Sequence, residues 1–70
     1  MEKQRLVLAI DDDQDILDTL RALIEAGGHR MVEARSAREG LDAFARENPD
    51  IVIVDLMMES LGAGLDFVET

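Results

Sequence analysis

The sequence predicts an α/β fold: a parallel three-stranded sheet of order 2-1-3 with flanking helices, connected β-α-β-α-β, or half of a doubly wound sheet. Two observations carry that prediction. The hydropathy pattern alternates between runs that are apolar on both faces, Leu6–Ile10 and Ile51–Val54, and stretches with helical spacing between them. Strands alternating with helices imply a parallel sheet with right-handed crossovers. The run 31–34 is half polar. It therefore belongs at an edge, with the two fully apolar runs side by side.

The elements follow in order. Leu6-Val7-Leu8-Ala9-Ile10 is apolar on both faces, as a buried parallel strand requires. From Gln14 to Ala26, residues Ile16, Leu17, Leu20, Leu23 and Ile24 fall at i, i+1, i+4, i+7 and i+8, one face of an amphipathic helix. Asp13 is its N-cap, and Gly27-Gly28 supplies a left-handed stop. The second strand, 31–34, is short. Ser36 with Glu39 forms a capping box that opens a second helix, whose buried face is Ala37, Leu41, Phe44 and Ala45 and whose end is Asn48-Pro49. Gly40 inside this helix costs about 1 kcal/mol relative to Ala and so marks a close approach to a neighbour. Ile51-Val52-Ile53-Val54 is the third strand. Residues 56–70 begin as loop, with Gly62 and Gly64 as breakers and a third helix starting near Leu65. The whole of 1–70 reads as a single small domain without repeat or linker.

Composition removes several functions. Seventy residues bury only roughly 60% of the unfolded surface, so the fold is marginal alone. The absence of cysteine excludes disulfide scaffolds, thiolate zinc sites and thiol catalysis. Sixteen acids against seven bases give a net charge of −9, which opposes direct binding of nucleic acid or an anionic membrane. The longest apolar run is five residues, too short to span a membrane, and the first residues do not resemble a signal peptide. The expected compartment is the cytoplasm. The charge is also uneven: all seven bases lie at or before Arg46, and 48–70 holds five acids and no base. A carboxylate site there takes its counter-charge from a metal, a neighbour in the fold, or a partner.

Two strands end in carboxylate. Ile10 is followed by Asp11-Asp12-Asp13, and Val54 by Asp55. In order 2-1-3 both ends open on the same carboxyl edge of the sheet, where such folds bind ligands. A carboxylate pair 4 Å apart repels by about 4 kcal/mol at an effective dielectric near 20. A divalent cation relieves that repulsion, and Mg²⁺ suits a site of few carboxylates that keeps its waters. Asp13 and Asp15 read instead as a helix cap and a turn residue. His29 reads as a turn residue, Met57 and Met58 as loop packing, and Arg30, Arg35, Arg38 and Arg46 as solvated surface.

The run Ile10-Asp11-Asp12-Asp13-Gln14-Asp15-Ile16-Leu17, with Asp55-Leu56-Met57-Met58 after an apolar strand, closely resembles a response-regulator receiver domain. The resemblance covers essentially the whole chain and the N-terminal half of a receiver. It implies half of a flavodoxin-like doubly wound fold and a part in two-component signalling. Asp55 would be the phosphoacceptor, taking a phosphoryl group from a phosphohistidine on a sensor histidine kinase or phosphotransfer protein. Asp12, Asp55 and the backbone oxygen of Met57 would ligate Mg²⁺, with Asp11 acting mainly through a metal-bound water. Such a module is a signalling acceptor that assists its own phosphorylation rather than an enzyme. In place of the family's usual proline and Asp-Gly turn, Met58 is followed by Glu59-Ser60-Leu61-Gly62-Ala63-Gly64, one residue longer. The fourth and fifth strands, which carry the family's switch Ser/Thr and phosphate-binding Lys, are absent from these residues.

Two other readings stay open. A receiver-like module used only for pairing keeps the fold without phosphorylation. On any of these readings the apolar third-strand edge predicts a symmetric homo-oligomer, most simply a dimer joined through that strand and residues 56–70. A haloacid-dehalogenase-like phosphatase would use Asp11 as nucleophile and Asp13 as general acid, but it leaves Asp55 without a role. A calcium loop beginning at Asp11 fails, because its sixth position is Ile16 and its twelfth Ala22.

Overall fold

The computed structural model describes residues 3–55. Three strands and two helices follow one another in the chain: β1 (Leu6–Ile10), α1 (Gln14–Ala26), β2 (Arg30–Ala34), α2 (Ala37–Glu47) and β3 (Ile51–Val54). All pairing is parallel, and the sheet order is β2-β1-β3. Leu6 pairs with Arg30 and Ile10 with Ala34, while Val7 pairs with Ile51 and Ile10 with Val54. The expected architecture is present, with β2 starting one residue earlier than its apolar pattern suggests. Residues 56–70, where the loop and the start of a third helix are expected, lie outside the described residues.

Alternation along β1 divides the core into two layers. Val7 and Ala9 face α1, packing with Leu17 and Met31, against which Leu20 and Ile24 also rest. Leu8 and Ile10 face α2, packing with Ala34 and Ala43 and flanked by Val32 and Val54. The helix ends match their chemistry. Asp13 accepts the N–H of Asp15 as N-cap of α1, and the left-handed residue after that helix is Gly28, at φ 86°. Ser36 accepts the N–H of Glu39, and Asn48 closes α2 in the left-handed region at φ 50°. The box at α2 differs in one partner: the Glu39 carboxylate takes the N–H of Arg35 rather than that of Ser36.

The helix faces differ from the periodicity. On α2 the buried residues are Gly40 and Ala43, while Leu41 is 70% and Phe44 51% exposed and Ala45 is exposed. On α1, Leu17 is fully buried but Ile16 and Leu23 are exposed. The cause lies in the sheet. Both helices pack over β1 and β2, and neither packs over β3. The described sheet is narrower than the apolar stripes that face it. β3 shares this exposure, with Ile51, Val52 and Ile53 all open to solvent. Among the described residues no helix is long and apolar enough to cross a membrane.

Candidate functional site

Two ladder hydrogen bonds aim the acids. The N–H of Asp11 donates to Ala34 O at 3.0 Å, which continues β1 along β2 by one residue. The N–H of Asp55 donates to Ile10 O at 3.0 Å, which does the same for β3 along β1. Both aspartates therefore stand at the carboxyl edge of the sheet by backbone geometry, before any side chain acts. Oxygens of Asp11, Asp12 and Asp55 all lie within 4.8 Å of one another, and this is the group among the described residues able to hold a metal ion. Asp11 is buried, Asp12 exposed and Asp55 half-buried.

The loop between β1 and α1 is folded on its own acids. Asp11 Oδ1 accepts the N–H of Asp13 at 2.9 Å, and Asp13 Oδ1 accepts the N–H of Asp15 at 2.9 Å. Asp13 O then accepts the N–H of Leu17, the first turn of α1. Asp13 thus serves as the helix cap. Its engaged carboxylate opposes the general-acid role that the phosphatase reading needs. Met57, expected to lend a backbone oxygen, lies outside the described residues, as does Glu59.

Arg35, exposed as expected, also reaches this loop. Arg35 Nη2 donates to the backbone oxygen of Asp12 at 3.2 Å. The available signal was positional: Arg35 directly follows β2, and β2 ends beside β1. The other arginines behave as expected of surface residues or close to it. Arg38 pairs with Asp42 and Arg46 with Glu47 along α2. Arg21, on α1, donates to Met31 O at 3.0 Å and pairs with Glu25 and Glu33, so it ties α1 to β2. His29 is more than a turn residue: its Nδ1 accepts the N–H of Arg5 at 2.9 Å, at the opposite edge of the sheet.

Comparison with known proteins fits this geometry. The chain is 36% identical over 55 residues to the response regulator MprA of Mycolicibacterium vanbaalenii, a match covering 79% of this chain and 24% of that protein. It is 37% identical over 62 residues to the KDP operon transcriptional regulatory protein KdpE of Escherichia coli K12, covering 89% of this chain and 27% of that protein. It is 36% identical over 61 residues to the probable transcriptional regulator ycf27 of Porphyridium aerugineum, covering 87% and 25%. The chain spans about a quarter of the length of these curated relatives. No solved structure matches it. The response regulator receiver domain family matches residues 7–70, so that only the first six residues fall outside the match. On that extent, and with the relatives agreeing, the chain belongs to the response regulator receiver domains.

Proposed function

We propose that the chain is the phosphoacceptor module of a two-component phosphorelay, taking a phosphoryl group onto Asp55 from a phosphohistidine of a sensor histidine kinase or phosphotransfer protein, with Mg²⁺ required. One observation supports this above the others: the ends of two neighbouring strands bring Asp11, Asp12 and Asp55 within 4.8 Å in a chain of the receiver family. In the transfer, a carboxylate oxygen of Asp55 attacks phosphorus and forms the new P–O bond. The P–N bond breaks, its electron pair returns to the imidazole, and Asp55 carries an acyl phosphate.

The donor set fits a hard divalent cation. Its described members are all carboxylate oxygens, and one of them, Asp11, is buried. Asp11, Asp12 and Asp55 would hold the ion, together with the backbone oxygen of Met57. When bound, it supplies neutralisation of the charge on the transferred phosphoryl oxygens. The protein's own part is positional. The ladder bond from Asp55 N–H to Ile10 O fixes the nucleophile's backbone, and the Asp13 N–H holds one Asp11 oxygen in place. Residues 1–70 act here as one partial receiver unit, a cytoplasmic signalling acceptor rather than an enzyme. The net charge of −9 opposes direct nucleic-acid contact by these residues.

A second reading draws on β3, where Ile51 is 48%, Val52 37% and Ile53 38% exposed. On that reading the chain pairs with a second copy through β3 and residues 56–70, with or without phosphorylation.

Acetyl phosphate separates the readings. With Mg²⁺, intact mass should show one added phosphoryl group, labile to base, lost on chelation and lost in Asp55→Asn. Labelling that survives in Asp55→Asn and maps to Asp11 refutes the phosphoacceptor role of Asp55 and supports the phosphatase reading. A folded wild-type chain that takes up no phosphate leaves pairing as its function.

A further inference from the structure

Asp12 has an exposed side chain in a loop whose flanks are both fastened. On one flank Asp11 N–H is held by Ala34 O at 3.0 Å; on the other, Asp13 N–H is held by Asp11 Oδ1 at 2.9 Å and Asp13 O by Leu17 N–H at 3.2 Å. Among the described residues, the hydrogen bond that reaches Asp12 comes from Arg35, whose Nη2 donates to its backbone oxygen at 3.2 Å. The base of that side chain is itself anchored. Arg35 N–H donates to Glu39 Oε1 at 3.1 Å, and the residue before it carries the Ala34 oxygen that holds Asp11. Arg35 thus spans from the fastened start of α2 to the peptide that sets the direction of the Asp12 side chain.

We propose that Arg35 is a positioning residue of the divalent-cation site: by holding the Asp12 carbonyl it fixes the aim of the Asp12 carboxylate, and so sets the preference of the site for Mg²⁺ over Ca²⁺. The inference rests on the cation site of the preceding reading. Arg35 acts on a bound ion in two opposed ways. Its positive charge repels any divalent cation, and that effect is the same for two ions of equal charge, so it cancels in the ratio of their affinities. The hydrogen bond does not cancel. Mg²⁺ demands near-ideal octahedral geometry at short distances, whereas Ca²⁺ accepts variable coordination at longer ones. Freeing the Asp12 peptide therefore weakens Mg²⁺ binding more than Ca²⁺ binding.

Calorimetric titration of the full 70-residue chain with MgCl₂ and with CaCl₂, at one pH and ionic strength, reads this ratio directly. The wild type should prefer Mg²⁺. Arg35→Ala should lower the Mg²⁺/Ca²⁺ affinity ratio by about fivefold or more, and Arg35→Lys, which keeps a charged donor, should stay within about twofold of wild type. Arg38→Ala removes the same charge from a pair with Asp42 on α2 and should leave the ratio unchanged. Circular dichroism establishes that each variant is folded. A ratio unaltered in Arg35→Ala, including the case where both affinities shift by one common factor, overturns the positioning role. So does an Arg35→Lys ratio as low as that of Arg35→Ala. A wild type that binds both ions without preference overturns the inference while the site survives; one that binds neither removes the site and the inference together.

Discussion

Gly40 and Ile10 meet where α2 crosses β1, one residue before the acid loop. A methyl built on Gly40 would run into Ile10 Cδ1 and lie 3.0 Å from Cγ1. The helix gains about 1 kcal/mol from Gly→Ala in propensity, but overpacking costs roughly 1–3 kcal/mol. Gly40→Ala should therefore destabilise by about 1 kcal/mol in urea denaturation. Valine lacks the Cδ1 that is struck, so in an Ile10→Val background the same change should become neutral or stabilising. A Gly40→Ala chain more stable than wild type would remove the close approach. At the other edge of the sheet, His29→Phe withdraws the acceptor of the Arg5 N–H and should cost about 1 kcal/mol. The reading of Gly40 as a close contact came from its misfit with helix propensity. The bonds of His29 and Arg35 carry no such mark, because each depends on which backbone group another element brings alongside.

Capping chemistry sets both helix starts, and it separates the duties of adjacent acids. Ser36→Ala removes the acceptor of the Glu39 N–H and should cost about 1 kcal/mol. Asp13→Asn preserves a good cap, since Asn and Asp are equivalent there. It should therefore leave stability and phosphoryl uptake close to wild type, whereas loss of uptake would restore a chemical role for Asp13. The strands and caps were readable because their signals are local: doubly apolar runs, an Asp or Ser ahead of a helix, and a Gly or Asn after one. The buried face of α2 was not. Periodicity reports which positions are apolar, but burial depends on the width of the surface opposite. Gly40 and Ala43, both small and buried, are the residues of α2 that meet the sheet, and Leu41 and Phe44 beside them stay exposed. The site was readable to the same local extent. Two strands ending in aspartate, once paired in order 2-1-3, converge by topology; Arg35 reaches the Asp12 carbonyl only through the geometry of the β2–α2 turn.

Across the described molecule, Ile16, Leu23, Leu41, Phe44, Ile51, Val52 and Ile53 are all exposed large apolar residues, and they occur on both helices and on β3. A 70-residue chain with that much apolar surface has strong reason to associate. Light scattering of the isolated chain at low micromolar concentration should give a dimer, and Val52→Lys should dissociate or unfold it; a folded monomer at that concentration contradicts the expectation. The acid cluster should act on the fold as a whole too. Millimolar Mg²⁺ should raise the thermal midpoint by mass action, and Asp12→Asn should abolish the rise. A wild-type chain whose midpoint ignores Mg²⁺ has no assembled site.

The sheet order also has a consequence in time. β1 is made before both of the strands that flank it, and its two ladders pair Leu6 with Arg30 and Val7 with Ile51. Both are parallel and distant in sequence, the kind of pairing that must close large loops before contacts reward it. During synthesis the first strand can gain β2 early, but its second side stays unpaired until Val54 has left the ribosome. For that interval the nascent chain holds a five-residue apolar strand with one open edge, the moment at which a chaperone, or another copy emerging from the same message, competes with β3 for the place beside it.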